Sequence, residues 1–193
     1  MLDYIKGEIA ELTPASVVVE TGGIGYLAHI SLNTYSAIGS LKTCKLFVYE
    51  SIREDAHQLF GFLEKREREL FLHLISVSGV GANTARMVLS SIAVYELESI
   101  ITSGNVNALK AVKGIGNKTA ERIIIDLKDK VKISGTTVAA SNVVLSEAAR
   151  EAVSALTMLG FNQLASQKIV NKIYSEKPAL NVEDIIKNAL KML

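Results

Sequence analysis

The sequence predicts an α+β multidomain protein in four parts. These are a five-stranded OB-like β-barrel over residues 1–63, a helical domain with two helix-hairpin-helix motifs over 64–131, a flexible linker over 132–145 and a three-helix domain over 146–193. Three observations carry this reading. Short β-rich stretches fill the first sixty or so residues, a helical period begins at Glu64, and a glycine-centred segment occurs twice, thirty-five residues apart.

The candidate strands are Tyr4–Ile9, Ser16–Glu20, Tyr26–Ser31, Lys45–Ser51 and Gln58–Phe62. Gly22-Gly23 supplies a hairpin turn between the second and third, because glycine accepts positive φ without steric cost. Five short strands in so few residues fit a small Greek-key barrel of the OB type, a count that any small β-sheet domain would also satisfy. From Glu64 to Glu69 every residue is charged, and the segment continues into Leu70, Phe71, Leu74 and Ile75, an apolar face at helical spacing. Helical patterns persist to about Lys130, with interruptions at Gly79, Gly104 and Gly114.

Ile133–Asn142 is small, polar and uncharged, which is linker composition. Beyond it, Ser146 and Asn162 are candidate N-caps, and Asn181 with Asp184 three residues on resembles a capping box. Gly160 marks the end of the first helix of this segment, and Pro178 falls between the second and third. Three helices in under fifty residues are marginal alone, which points to a docking module.

Composition narrows the chemistry. Cys44 is the single cysteine, and His29, His57 and His73 are scattered without partners at ligand spacing, so no disulfide, metal or cofactor is expected. No apolar run approaches the ~20 residues of a membrane span, and the N-terminus lacks the regions of a signal peptide. A soluble, cytoplasmic protein is expected. The formal net charge is only +1, but it is unevenly spread. Residues 1–63 hold four Lys/Arg against seven Asp/Glu, whereas residues 64–130 hold ten against eight. Any surface for a polyanion must be local and must use backbone dipoles.

The repeat supplies such a surface. Leu74–Leu89 aligns with Leu109–Ile124, so that Gly79-Val80-Gly81 coincides with Gly114-Ile115-Gly116 and Thr84-Ala85 with Thr119-Ala120. Each copy reads helix, glycine–hydrophobic–glycine turn, second helix. The glycines permit a tight turn and close approach by a phosphate, while Val80 or Ile115 plugs the gap between flanking helices. Backbone N–H groups at the positive end of the second helix then form an anion site. Asn83, Thr84, Asn117, Lys118 and Thr119 occupy the first turn of that helix, with Arg86 and Arg122 slightly further on. Contacts of this kind grip the sugar–phosphate backbone of DNA and carry no sequence information. A single Gly-x-Gly between helices is more often only a turn; two copies with matched flanks in a locally basic segment are much stronger evidence. Gly114–Thr119 is not a nucleotide-binding P-loop, because Asn117 separates Gly116 from Lys118 and the segment opens no βαβ unit.

Taken in order, these blocks resemble the bacterial RuvA family of Holliday-junction branch-migration subunits, over essentially the whole chain. The resemblance rests on Gly22-Gly23-Ile24-Gly25-Tyr26, Arg53-Glu54-Asp55-Ala56, Leu59-Phe60-Gly61-Phe62, both hairpins with Asn117–Arg122, and Glu151-Ala152-Val153 through Ala155-Leu156 to Leu159-Gly160-Phe161. It implies a non-catalytic homotetramer, or an octamer, that holds four-way junction DNA open in homologous recombination and DNA repair. It also implies a hexameric ATPase partner, RuvB, which drives branch migration, and a junction nuclease, RuvC. Glu54 and Asp55, by themselves a solvated hairpin tip, correspond to the family's acidic pin, whose repulsion of phosphates weakens as salt screens it. Leu156, Leu159 and Phe161 are assigned to the ATPase contact, although leucines at helical spacing are usually core. Asn83 and Asn117 stand where related sequences often carry lysine, which lowers the charge of each hairpin.

Two other readings compete. A helix-hairpin-helix glycosylase or nuclease would need a catalytic lysine or clustered carboxylates. Asp126 and Asp129 lie among Lys128 and Lys130 on a helix face, and the adjacent pairs Glu54-Asp55 and Glu183-Asp184 have no further acid nearby. A scaffold whose hairpins merely pack would show no preference for four-way over linear DNA in a gel-shift titration. Incubation with junction, damaged and linear DNA is expected to leave every substrate uncut; cleavage lost in Asp126→Ala would establish the enzyme.

Overall fold

The computed structural model describes residues 1–131, 147–177 and 180–192; the expected linker at 132–145, the expected cap Ser146 and Pro178 lie outside the described residues. Five strands form where the β-rich stretches predicted them: β1 (Tyr4–Thr13), β2 (Ser16–Thr21), β3 (Ile24–Ile30), β4 (Thr43–Ile52) and β5 (His57–Phe62). They close in the order β1-β2-β3-β5-β4, antiparallel except for the β3–β5 pair, a Greek-key barrel of the OB type. Gly22 and Gly23 have φ of 60° and 79°, so the two-residue β2–β3 turn twists with its strands. β1 outruns its expected end because a bulge between Ile9 and Glu11 bends it and lets pairing with β2 continue to Thr13. Alternate residues point inward, and Ile5, Val17, Val19, Ala28, Ile30 and Leu46 fill the barrel.

Between β3 and β4 lies a helix the sequence reading did not contain, α1 (Leu32–Ile38). It is too short to display a hydrophobic period. Its start is local chemistry: the Ser31 hydroxyl accepts from the Thr34 N–H as an N-cap. Ile38 is sunk into the barrel core, which fixes α1 against the strands.

Five further helices follow, one more than three glycine interruptions predict: α2 (Lys65–Ile75), α3 (Ala82–Ser91), α4 (Val94–Ser103), α5 (Val106–Lys110) and α6 (Asn117–Leu127). Breaks occur at Gly79, Gly104 and Gly114, each with positive φ, and one more falls at Ile92-Ala93. Phe71 of α2 packs on Phe62, Phe60 and Tyr49 of the barrel, with ring centroids 4.8, 5.3 and 5.4 Å away. Phe60 and Phe62 therefore belong to the core of the helices, and barrel and helices make one compact unit, Met1–Thr137.

Polar contacts add direction to that apolar seam. Arg68 of α2 reaches Asp3 beside β1, with Nη1 2.6 Å from Oδ1 and 2.9 Å from the backbone oxygen, and the guanidinium holds the Asp3 carboxyl below its ordinary range. Glu67 is buried, and its two oxygens accept from the hydroxyls of Ser31 (2.5 Å) and Thr34 (2.8 Å). Loss of solvent raises its pKa, against the pull of those hydrogen bonds.

The second unit, Val138–Leu193, holds α7 (Glu147–Met158), α8 (Gln163–Glu176) and α9 (Val182–Leu190) around Ala149, Ala152, Leu156, Val170, Ile173 and Ile185. Asn162 and Asn181 cap α8 and α9 as expected, accepting from Leu164, Ala165 and Asp184 N–H groups. Gly160, at φ 96°, ends α7 in a Schellman turn: the Phe161 N–H donates to Leu156 and the Gly160 N–H to Thr157.

Because the pKa of Glu67 is raised on folding, its stabilising contribution is full below the ordinary value of 4.5 and is lost as pH rises through the folded value. Urea titrations from pH 4 to 7 are expected to show wild type losing stability relative to Glu67→Gln as pH rises; a constant difference would contradict the burial of this carboxyl.

Candidate nucleic-acid interface

The two hairpins are geometric copies. Gly79 and Gly114 both have φ of 91°, a region that costs an L side chain about 1–2 kcal/mol. The Val80 N–H donates to Val77 O at 3.0 Å and the Ile115 N–H to Val112 O at 3.1 Å. Val80 and Ile115 are each only 5% exposed and lie in the same core, so each turn is nailed down by its central side chain. That leaves the glycines outermost, with open space where a Cβ would stand at Gly79, Gly81, Gly114 and Gly116.

Gly81 and Gly116 are the informative pair. They are the N-caps of α3 and α6, with φ of −88° and −82° and ψ of 169°, an ordinary extended conformation. Neither backbone strain nor crowding requires glycine there, and serine would cap the helix better. The backbone at this place is left bare toward the open space around it. The amides of residues 81–84 and 116–119 point out of the helix starts without intrahelical partners, at the positive ends of the helix dipoles.

Around these amides the expected side chains divide. Asn83, Asn117 and Lys118 are exposed, and Thr84 and Thr119 half-buried, in the first turns of α3 and α6. Asn117 Nδ2 donates to Glu121 Oε1 at 2.7 Å, along its own helix. Lys113, which sequence reasoning passed over, is exposed immediately before Gly114; its position beside the glycine was the available signal. Neither Lys113 nor Lys118 holds an ion pair among the described residues. Arg122 Nη1 donates to Ser78 O at 3.2 Å, so it braces the first hairpin from the second helix of the other copy. Arg86 departs from its expected place at the hairpin surface. Its Nη1 donates to Ala15 O at 2.9 Å and Ile30 O at 3.4 Å, which turns the guanidinium toward the barrel.

Glu54 and Asp55 are exposed at the β4–β5 tip, which is closed by the Arg53 N–H donating to Ala56 O at 2.8 Å. They and the hairpins belong to the same compact unit. In the second unit the expected contact residues separate. Leu156 is fully buried, and with Phe161 it forms the apolar clasp of the Schellman turn, so Leu156 is core and has no surface to offer a partner. Leu159 is exposed, and it is joined by Met158 and Leu164, two residues sequence reasoning missed, at the α7–α8 turn.

An OB-type barrel continued by two equivalent helix-hairpin-helix units defines a tandem helix-hairpin-helix protein. The comparisons agree part by part. The model described as RuvA N terminal domain matches residues 1–61, that of the SAM-like helix-hairpin-helix tandem 71–129, and that of the RuvA C-terminal domain 147–193. Proteins named Holliday junction branch migration complex subunit RuvA are similar over 100% of both chains, at 62% identity in Azobacteroides pseudotrichonymphae, 55% in Bacteroides thetaiotaomicron and 47% in Christiangramia forsetii. The chain belongs to the RuvA family.

Gly81→Ser with Gly116→Ser is expected to leave thermal stability unchanged or raise it by a few tenths of a kcal/mol through better capping. Gly79→Ala or Gly114→Ala is expected to cost about 1 kcal/mol or more. Thermal melts of the variants check both; a large loss in the serine variant would mean that Gly81 and Gly116 serve the fold.

Proposed function

We propose that this protein is the structure-selective DNA-binding subunit of a branch-migration complex: it holds a four-way junction open and recruits a hexameric ATPase, RuvB. The observation that carries the reading is the pair of glycine N-caps, Gly81 and Gly116, which keep two equivalent sets of backbone amides bare at the surface. A phosphate can reach such amides closely, and Thr84, Thr119, Lys113 and Lys118 stand beside them to add hydroxyl and ammonium contacts. Family membership over the whole chain supports the same assignment.

The hairpins grip backbone and cannot by themselves tell a junction from a duplex. Discrimination then belongs to Glu54 and Asp55, acting as a pin. In a homotetramer four such tips would meet at the crossing point, where like charge repels phosphates and keeps separated strands apart. Tetramer or octamer, and a hand-over to the nuclease RuvC, complete the proposal. The subunit itself supplies binding and orientation, and the ATPase supplies the work. Its dock is the apolar surface of Leu159 with Met158 and Leu164, to which Phe161 contributes by holding the turn.

Four measurements test this. Gel-shift titration should show a four-way junction bound at least about tenfold more tightly than linear duplex of equal length, and equal affinities would remove the reading. The Gly81→Ser and Gly116→Ser variant should lose about 1 kcal/mol of junction affinity per hairpin, while Glu54→Lys with Asp55→Lys should bind as well or better yet handle the junction differently once the motor is added. Leu164→Asp should abolish stimulation of the ATPase with DNA binding intact; full stimulation would move the dock elsewhere.

A further inference from the structure

The barrel and the first hairpin are connected by more than an apolar seam. α1 and its cap project polar groups onto α2 and α3, and α3 returns one. Ser31 and Thr34 hold the two oxygens of Glu67. Asn33 Nδ2 donates to Leu89 O at 2.7 Å and Ile92 O at 3.5 Å, at the C-terminal end of α3. The Leu32 N–H donates to Ser90 Oγ at 3.1 Å. Arg86 crosses the other way to Ala15 O and Ile30 O, and its Nε is buried with no hydrogen-bond partner among the described residues.

The Glu67 bonds end on α2, and the others converge on α3. That helix carries the first anion site at its N-terminus, and its ten residues make a rod about 15 Å long. Its far half is fastened to the barrel whose β4–β5 tip bears Glu54 and Asp55. α6, the corresponding helix of the second copy, makes no side-chain hydrogen bond or ion pair to the barrel among the described residues; it is tied through Arg122 to the first hairpin instead. The duplication is therefore symmetric in its anion sites and asymmetric in its attachment. The first hairpin is referenced to the barrel, and the second to the first.

We infer that Asn33, Ser90 and Arg86, with Glu67 and its two hydroxyl partners, form a positioning clamp that fixes the first hairpin relative to the acidic tip, and that this fixed relation sets the preference for four-way over linear DNA. The inference rests on the functional reading above. Its physical basis is that phosphate grips are indifferent to global shape, so selectivity requires grips and pin to be held at one angle. Apolar contacts alone permit small slides, whereas directional hydrogen bonds, of which Asn33 to Leu89 O and Arg86 to Ala15 O are the short ones at 2.7 and 2.9 Å, define one orientation. Arg86 is a positioning residue in this account, and a phosphate ligand in the alternative that its sequence position suggested.

The test uses the full chain and compares wild type, Asn33→Ala with Ser90→Ala, and Arg86→Met, each by circular dichroism, solution mass and binding to a four-way junction and a linear duplex over a salt series. For the Asn33→Ala, Ser90→Ala variant, duplex affinity should stay within about twofold. Its junction-to-duplex ratio should fall about tenfold, the scale of one or two hydrogen bonds. Arg86→Met should lower the same ratio with an unchanged salt slope. An unaltered ratio in a folded Asn33→Ala, Ser90→Ala protein overturns the clamp. So does equal weakening of junction and duplex by Arg86→Met with the salt slope reduced by about one, which marks a lost phosphate contact. If Arg86→Met fails to fold, the double variant decides alone. A wild type without any junction preference would sink the functional reading itself, a result distinct from either.

Discussion

Val80 and Ile115 are buried side chains in the middle of surface turns, and the rest of the interface follows from that placement. A turn between two helices ordinarily floats on its hydrogen bonds. Here each turn is held down at its centre by an apolar residue inserted in the core formed by α2 to α6. With the centre fixed, the flanking residues are forced outward, and the positive φ of Gly79 and Gly114 lets the chain enter the next helix at once. The helix starts then present their amides at a constant height above the core. Removing either apolar plug would cost a cavity and would also free the amides to wander.

The same core extends into the barrel through Phe71, whose contacts with Phe60, Phe62 and Tyr49 make strand and helix mutually dependent. Apolar area supplies most of the stability of such a seam. Direction comes from a smaller set of polar groups, Asp3 with Arg68, Glu67 with Ser31 and Thr34, and Arg66 with Glu98 between α2 and α4 under the ring of Tyr95. Glu67 is buried and Arg66 with Glu98 nearly so, while Asp3 stands at the surface; such pairs contribute little net energy but disfavour other registers. The result is a unit in which strands, hairpins and acidic tip form one body.

Features with a strong local cause were legible in the sequence. Two glycines at Gly22-Gly23 dictate a hairpin, the duplicated Gly-hydrophobic-Gly dictates two equal turns, and Asn162, Asn181 and Gly160 announce helix ends through their own side chain or lack of one. What escaped depended on distant partners. α1 is too short for a period, and its Ser31 cap is a common dipeptide-scale signal. Arg86 reads as one more cation near a hairpin until Ala15 and Ile30 are seen across from it. Leu156 and Leu159 are both leucines near a helix end, and only the Schellman geometry at Gly160 sends one inward and leaves the other out. The extension of β1 to Thr13 hinged on a bulge, which no alternation pattern displays.

The near-neutral charge of the chain has a consequence for how such a protein is distributed in a cell. On the proposed reading, binding to bulk duplex is driven by counterion release, and a near-neutral subunit with two local grips beside a net-negative barrel releases few ions. On that reading each subunit spends little time parked on ordinary chromosomal DNA, which outnumbers junctions enormously. The free pool would then stay large, and target search would proceed by repeated collision in solution instead of long one-dimensional slides. Weak grip on the common substrate is what keeps the protein available for the rare one.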